Sequence, residues 1–197
     1  MILYLHGFRS SPQSFKATLL AQAMQDRGLA DAWLCPQLPA SPAQAMALAD
    51  RLIRKALPGG TGRTQAELVV IGSSLGGYYA TCLAEHWQCR AVLLNPVVHA
   101  ARDLATQVGE HTLYHGGGPF TFLPEYVDEL ADMAVERPAH PERYYLLAAT
   151  GDEVLDWREM TDWFRGCRQH VIEGSDHGIS DFPAYLPEVL EFALADA

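Results

Sequence analysis

Along the chain, short uninterrupted apolar runs alternate with stretches in which apolar residues recur every three or four positions. Stretches at 2–6, 32–35, 68–71, 91–94, 144–149 and 169–172 read as strands. The run from Ile2 to His6 has no alternation, as expected of a strand covered on both faces in a parallel sheet. Between the strands lie helical stripes. Pro12 sits at a first helical position behind Ser11 as cap, and Phe15, Leu19, Leu20, Ala23 and Met24 form one face closed by Gly28. Ser41-Pro42-Ala43-Gln44 has the form of a capping box, followed by Leu48, Leu52, Ile53 and Ala56 and a stop at Pro58-Gly59-Gly60. Further helices are predicted over 78–84, from Pro124 through Val127, Leu130 and Ala134, over 157–164 and over 183–195.

The alternation predicts a single α/β domain over residues 1–197, with a mostly parallel sheet of about six strands, helices on both faces and no large cap domain. Residues 99–142 are less regular and are broken by Gly116-Gly117-Gly118-Pro119. A segment of that length between strands reads either as a lid or pocket-forming insertion, or as a packed surface excursion.

Composition narrows the partners. Apolar residues make up 49% and charged residues 19% of 197 positions, an ordinary globular balance. The net charge is −10 and the basic residues form no run, which argues against nucleic acid and anionic membrane surfaces. The opening Met1-Ile2-Leu3-Tyr4-Leu5-His6 is too short an apolar run for a signal peptide, and no stretch reaches bilayer-spanning length. A soluble, cytoplasmic protein is expected. The four cysteines, Cys35, Cys82, Cys89 and Cys167, show no Cys-x-x-Cys spacing and read as buried free thiols.

The candidate chemistry centres on Gly72-Ser73-Ser74-Leu75-Gly76-Gly77, directly after one strand and directly before a helix. In that context Gly-x-Ser-x-Gly is a nucleophile elbow, in which small residues two before and two after the serine let strand and helix approach. In a parallel sheet ligands bind outside the carboxyl ends of the strands. Asp152 and His177 follow two later strands at that edge, so the order serine, acid, histidine matches an α/β-hydrolase. Ser74 would be the nucleophile, His177 its base, and Asp152 the group that holds the imidazole. Asp156 is the rival acid, but Asp156-Trp157-Arg158-Glu159 gives it a sufficient role as a helix cap. Asp176 and Asp181 read as turn or capping residues. The oxyanion hole is expected from the backbone amides of Leu75 and, after the first strand, Phe8. Tyr78 and Tyr79 read as core, Arg9 and Ser10 as exposed or pocket-lining, and His111 and His115 as loop histidines rather than metal ligands.

Several stretches together carry a family resemblance. They are residues 4–12 (YLHGFRSSP), 36–39 (PQLP), 72–80 (GSSLGGYYA), 95–96 (NP), 150–156 (TGDEVLD) and 171–174 (VIEG). In this order they resemble the YqiA-type esterases, compact bacterial α/β-hydrolases without a large cap. The resemblance implies hydrolysis of carboxylic esters, with acyl-CoA thioesters as further candidates, and places nucleophile, acid and base on Ser74, Asp152 and His177. Neither cofactor nor metal is required, and the expected partner is a small-molecule acyl ester or thioester. Two other classes remain to be weighed: an inactive small-molecule binding protein on the same fold, and a phosphate-binding turn at 72–77. The second lacks both Gly-x-Gly-x-x-Gly and a P-loop ending.

Overall fold

In the computed structural model, which describes residues 1–57 and 67–195, the six apolar runs form one parallel sheet. The strands are β1 (Ile2–Leu5), β2 (Trp33–Leu34), β3 (Val69–Ser73), β4 (Arg90–Leu94), β7 (Tyr144–Ala149) and β8 (Arg168–Ile172), in the order β2-β1-β3-β4-β7-β8. A separate antiparallel hairpin pairs β5 (Gly109–Thr112) with β6 (Pro119–Phe122). The helices are α1 (Phe15–Asp26), α2 (Pro42–Ala56), α3 (Leu75–Trp87), α4 (Ala100–Leu104), α5 (Glu125–Asp132), α6 (Trp157–Trp163) and α7 (Leu186–Leu194). None of the described helices is long and apolar enough to cross a membrane.

In the centre of the sheet the absence of polar alternation has its predicted cause, since every residue of β1, β3 and β7 is buried, whereas the edge strands β2 and β8 are partly exposed. Successive side chains enter two different cores. Leu3, Leu5, Val70, Leu93, Leu146 and Ala148 pack with α2, α3, α5 and α6 on one face. Ile2, Tyr4, Ile71, Val92, Leu147 and Ala149 pack with α1 and α7 on the other. Each large strand side chain so buried contributes roughly 1.5–3 kcal/mol. Register then aligns the carboxyl ends, with Leu5 opposite Gly72, Ser73 opposite Leu94, Leu94 opposite Leu147 and Ala149 opposite Ile172. The loops after five strands therefore converge on one edge.

Three local expectations change. The first helix begins at Phe15 with Ser14 as N-cap residue, not at Pro12. Ser11 Oγ instead accepts from the Gln13 amide at 3.1 Å, a local turn that competes with helix and delays its start. The hairpin at β5 and β6 was not foreseen, and it places His111 on a strand rather than in a loop. The stop at Pro58-Gly59-Gly60 lies outside the described residues.

Residues 99–142 pack on the sheet through α4, the hairpin and α5. Leu130 of α5 and Phe122 of β6 are fully buried in the larger core. Ser41 caps α2 by accepting from the Gln44 amide at 3.2 Å, and its hydroxyl donates to Glu129 Oε2 of α5 at 2.8 Å. The same carboxylate oxygen accepts from the Ala43 amide at 2.9 Å. Replacing Ser41 by Ala removes the cap and a partner of Glu129. Urea unfolding should register a loss of about 1–2 kcal/mol with an unchanged m-value, whereas an unchanged midpoint would mean the cap contributes nothing.

Candidate active site

The chain turns sharply at Ser74, where φ is 56° and ψ is −122°. A non-glycine residue at positive φ is strained by about 1–3 kcal/mol and persists only where its surroundings enforce it. Those surroundings are the two glycines the motif demands. A Cβ at Gly72 would lie 2.0 Å from Gly76 O, and one at Gly76 would lie 2.0 Å from Leu5 O. The strand, the helix and the neighbouring strand are thus in backbone contact, and only hydrogen fits between them. The turn is fixed further by the Ser74 amide donating to Leu94 O at 3.0 Å and by the amides of Gly77 and Val97 donating to Ser74 O at 2.9 and 3.0 Å.

Ser74, Asp152 and His177 come together at this edge. His177 Nε2 lies 3.0 Å from Ser74 Oγ, and His177 Nδ1 lies 2.8 Å from Asp152 Oδ2. A carboxylate only accepts, so the Nδ1 proton is donated to Asp152 and Nε2 is left to accept from the serine hydroxyl. The Asp152 side chain is fully buried and that of His177 is 20% exposed. Asp152 Oδ1 accepts from the amides of Val154 and Leu155, both at 2.8 Å, which fixes the carboxylate plane. Asp156 stands apart as the N-cap of α6, accepting from the Arg158 amide at 2.9 Å. Its capping-box partner Glu159 turns away to Arg102, which donates to both of its oxygens at 3.0 and 2.6 Å. Asp176 Oδ1 accepts from the Ser180 amide at 2.9 Å, and Asp181 accepts from the hydroxyls of Ser175 and Tyr185.

The amides of Phe8 and Leu75 have no acceptor among the described residues, and both residues line the same cleft as Ser74. The loop that carries Phe8 is held from two sides. His6 is buried, and its Nε2 accepts from the Leu38 amide at 3.0 Å while Nδ1 lies 3.0 Å from Gly7 O, which defines the neutral tautomer with its proton on Nδ1. Burial accordingly lowers the His6 pKa. Arg9, at φ 57°, donates through Nε to Thr112 O at 2.8 Å, stacks over Tyr114 at 4.6 Å, and its carbonyl accepts from the Tyr114 amide at 2.9 Å. The Phe8 ring packs edge-on against Phe120 and Phe122 at 5.1 and 5.3 Å. Arg9 is thus the strut between the first loop and the hairpin, a role its sequence context did not disclose. Tyr78 and Tyr79 are core residues, with the Tyr78 hydroxyl donating to Leu130 O at 2.6 Å.

The cleft has a volume of about 780 Å³. Leu75, Val97, Leu104, Val154 and Leu155 give it apolar walls, with Phe15 at its mouth. Residues 99–142 contribute Asp103, Leu104, Thr106, Gln107, Tyr114 and His115 to that lining. Lys16, from α1, is the buried cation of the cleft; its Nζ donates to Gly178 O. Burial lowers its pKa to about 8, against the opposing pull of Asp176 and Asp152. Of the cysteines, Cys82 and Cys89 are buried and Cys35 and Cys167 only half-buried; desolvation raises all four thiols to about 12, which keeps them unreactive.

The sequence model of an uncharacterised protein family, UPF0227, matches residues 1–194. Among solved structures, the chain is similar to Est1E from Butyrivibrio proteoclasticus, solved with ferulic acid bound, at 14% identity and a TM-score of 0.73 over 98% of this chain and 87% of that one. It is similar to the esterase domain of a Rhodothermus marinus protein at 21% identity and a TM-score of 0.67, covering 96% and 83% of the two chains. An alpha/beta superfamily hydrolase from Oenococcus oeni matches at 13% identity and a TM-score of 0.63, covering 98% and 92%. At such identities the likeness establishes the fold, which is that of the α/β-hydrolases.

Two outcomes follow from this geometry. Gly76→Ala forces backbone apart at Leu5 and should cost about 3 kcal/mol or more in urea unfolding; a loss near zero would mean the elbow is looser than described. Lys16 has a lowered pKa in the folded chain, so between pH 8 and its ordinary 10.5 the unfolded state binds the extra proton and stability rises with pH. Across that window the wild type should gain on the order of 2–3 kcal/mol relative to Lys16→Met, measured by urea unfolding at each pH; parallel curves would contradict the burial of a charged Lys16.

Proposed function

Because this chain belongs to the family UPF0227, the one to which the YqiA-type resemblance pointed, and has the α/β-hydrolase fold, we propose that it is a serine esterase cleaving carboxylic esters through a covalent acyl-enzyme. The observation that carries this reading is the continuous relay from Ser74 Oγ to His177 Nε2 at 3.0 Å and from His177 Nδ1 to Asp152 Oδ2 at 2.8 Å. Ser74 and His177 line a cleft with apolar walls, where an acyl chain can be desolvated, while Asp152 lies buried behind them.

The chemistry runs in two displacements. His177 Nε2 takes the hydroxyl proton of Ser74 as Oγ attacks the ester carbonyl carbon. The carbonyl oxygen takes the electron pair and is received by the amides of Phe8 and Leu75, whose N–H groups have no other acceptor among the described residues. When the carbonyl re-forms, the bond to the alkoxy group breaks and His177 returns the proton to it, releasing the alcohol. Water then repeats the sequence on the acyl-Ser74 ester, giving the carboxylic acid and restoring the hydroxyl. Asp152, fixed by two amides, keeps the Nδ1 proton in place and stabilises the imidazolium formed at each step. A thioester fits the same steps with a thiol as leaving group. The net charge of −10 gives an anionic leaving group such as CoA no long-range attraction, so simple esters rank first. Residues 99–142 serve as a wall of the acyl pocket through Leu104 and Tyr114.

Hydrolysis of p-nitrophenyl esters of graded chain length tests both the activity and the assignment. Ser74→Ala should lower kcat by about 10³-fold or more, and Asp152→Asn by about 10⁴-fold. Asp156→Asn should keep kcat within about twofold while costing on the order of 1 kcal/mol of stability through the α6 cap. Turnover that survives in Asp152→Asn and disappears in Asp156→Asn would reverse the choice of acid.

A further inference from the structure

The loop that carries His177 is held by side chains that the relay itself does not use. Asn95, the residue after β4, is completely buried. Its Nδ2 donates to Asp176 O at 3.0 Å and to His177 O at 3.1 Å. The next carbonyl, Gly178 O, accepts from Lys16 Nζ. Three consecutive carbonyl oxygens spanning the histidine are therefore captured from outside the loop, and the His177 amide donates to Glu153 Oε2 at 3.0 Å. The loop needs such restraint, because Ser175 and Ile179 on either side of these carbonyls both have positive φ, at 57° and 48°.

Asn95 also reaches the other two members of the relay. Its Oδ1 accepts from the Ala149 amide at 2.8 Å, and its own amide donates to Leu147 O at 2.9 Å, so it is bound to β7, the strand that leads into Asp152. In its own chain it lies between two residues bonded to the nucleophile's backbone: Leu94 O accepts from the Ser74 amide and the Val97 amide donates to Ser74 O, both at 3.0 Å. The residue type suits the place. Asn95 has φ 42°, a conformation asparagine tolerates better than most residues, and its amide supplies two donors and an acceptor in one buried group.

Resting on the reading of Ser74, His177 and Asp152 as the catalytic relay, we infer that Asn95 is a positioning residue that sets the His177 imidazole between Ser74 and Asp152, with Lys16 as a second clamp on the same loop. A misplacement of about 1 Å in such a relay costs on the order of 10²-fold in rate.

Asn95→Asp isolates the effect, since aspartate keeps the tolerance of positive φ and an acceptor for the Ala149 amide but loses both donors to the loop. It should lower kcat for a p-nitrophenyl ester by about 10²-fold with KM within about threefold. The low-field proton resonance of the His177 Nδ1–H held by Asp152 should broaden or disappear, although circular dichroism remains that of the folded protein. Lys16→Met, tested alongside it, should reduce kcat by about tenfold in the same direction. It decides the matter if Asn95→Asp does not fold. A purely structural role would change the melting temperature of either variant while leaving kcat and the resonance as in the wild type, and that result would overturn the inference. Ser74→Ala in the same assay separates the two levels. If it remains active, the catalytic reading fails. If it is inactive while the folded clamp variants keep wild-type kcat, only the positioning role fails.

Discussion

The rest of the site depends on the close approach of three backbone segments around Ser74. At Gly76 the helix touches the carbonyl of Leu5 in β1, and at Gly72 the strand touches the helix, each at a distance that leaves no room for a methyl group. This contact holds Ser74 at positive φ at the sheet edge, beside the Leu75 amide, which has no acceptor among the described residues. Because β1 also touches α3, at Gly76, the same contact sets where the first loop leaves the sheet. Ser74 and the Phe8 amide, the proposed nucleophile and second oxyanion donor, are therefore placed by one packing event rather than two.

Strain is concentrated around the candidate site. Of the six described non-glycine residues with positive φ, five, Arg9, Ser74, Asn95, Ser175 and Ile179, lie in the loops that follow β1, β3, β4 and β8, and the sixth, Gln88, ends α3. Each costs on the order of 1–3 kcal/mol unless its residue type suits the conformation, as asparagine does. The offset comes from the sheet below, whose central strands are buried on both faces, and from side chains that catch the loops: Arg9 on Thr112, Asn95 on the His177 loop and Lys16 on Gly178. Lys16 is itself destabilising as a buried cation, so part of the fold's stability is given up to keep one loop in place.

Most of the sheet was legible because burial on both faces leaves a plain mark, an apolar run without alternation. The elbow was legible because sterics dictate its glycines, and Asp152 could be preferred to Asp156 because the latter already had a capping role, which it fulfils with the Arg158 amide. Other parts left no such mark. The hairpin contains Gly109, Glu110 and His111, poor strand formers, and exists because Phe120 and Phe122 find Phe8 across a hundred residues of sequence. The start of α1 was misplaced because a serine before a proline can cap a helix or close a turn, and here it closes a turn. Asn95 showed only as half of the Asn-Pro pair that follows a strand and belongs to the family resemblance, with no role attached to it. Its partners Asp176, His177 and Ala149 are distant in sequence and are brought together by the sheet register alone.

The proposed esterase depends on Ser74 being a nucleophile activated by His177. The most direct test is to treat the protein with an alkyl fluorophosphonate, measure the intact mass and locate the adduct by peptide fragmentation. The account predicts a single phosphonyl group on Ser74, absent when His177 is replaced by Ala. An adduct on another residue, or an unmodified Ser74 in the folded wild-type protein, would contradict it.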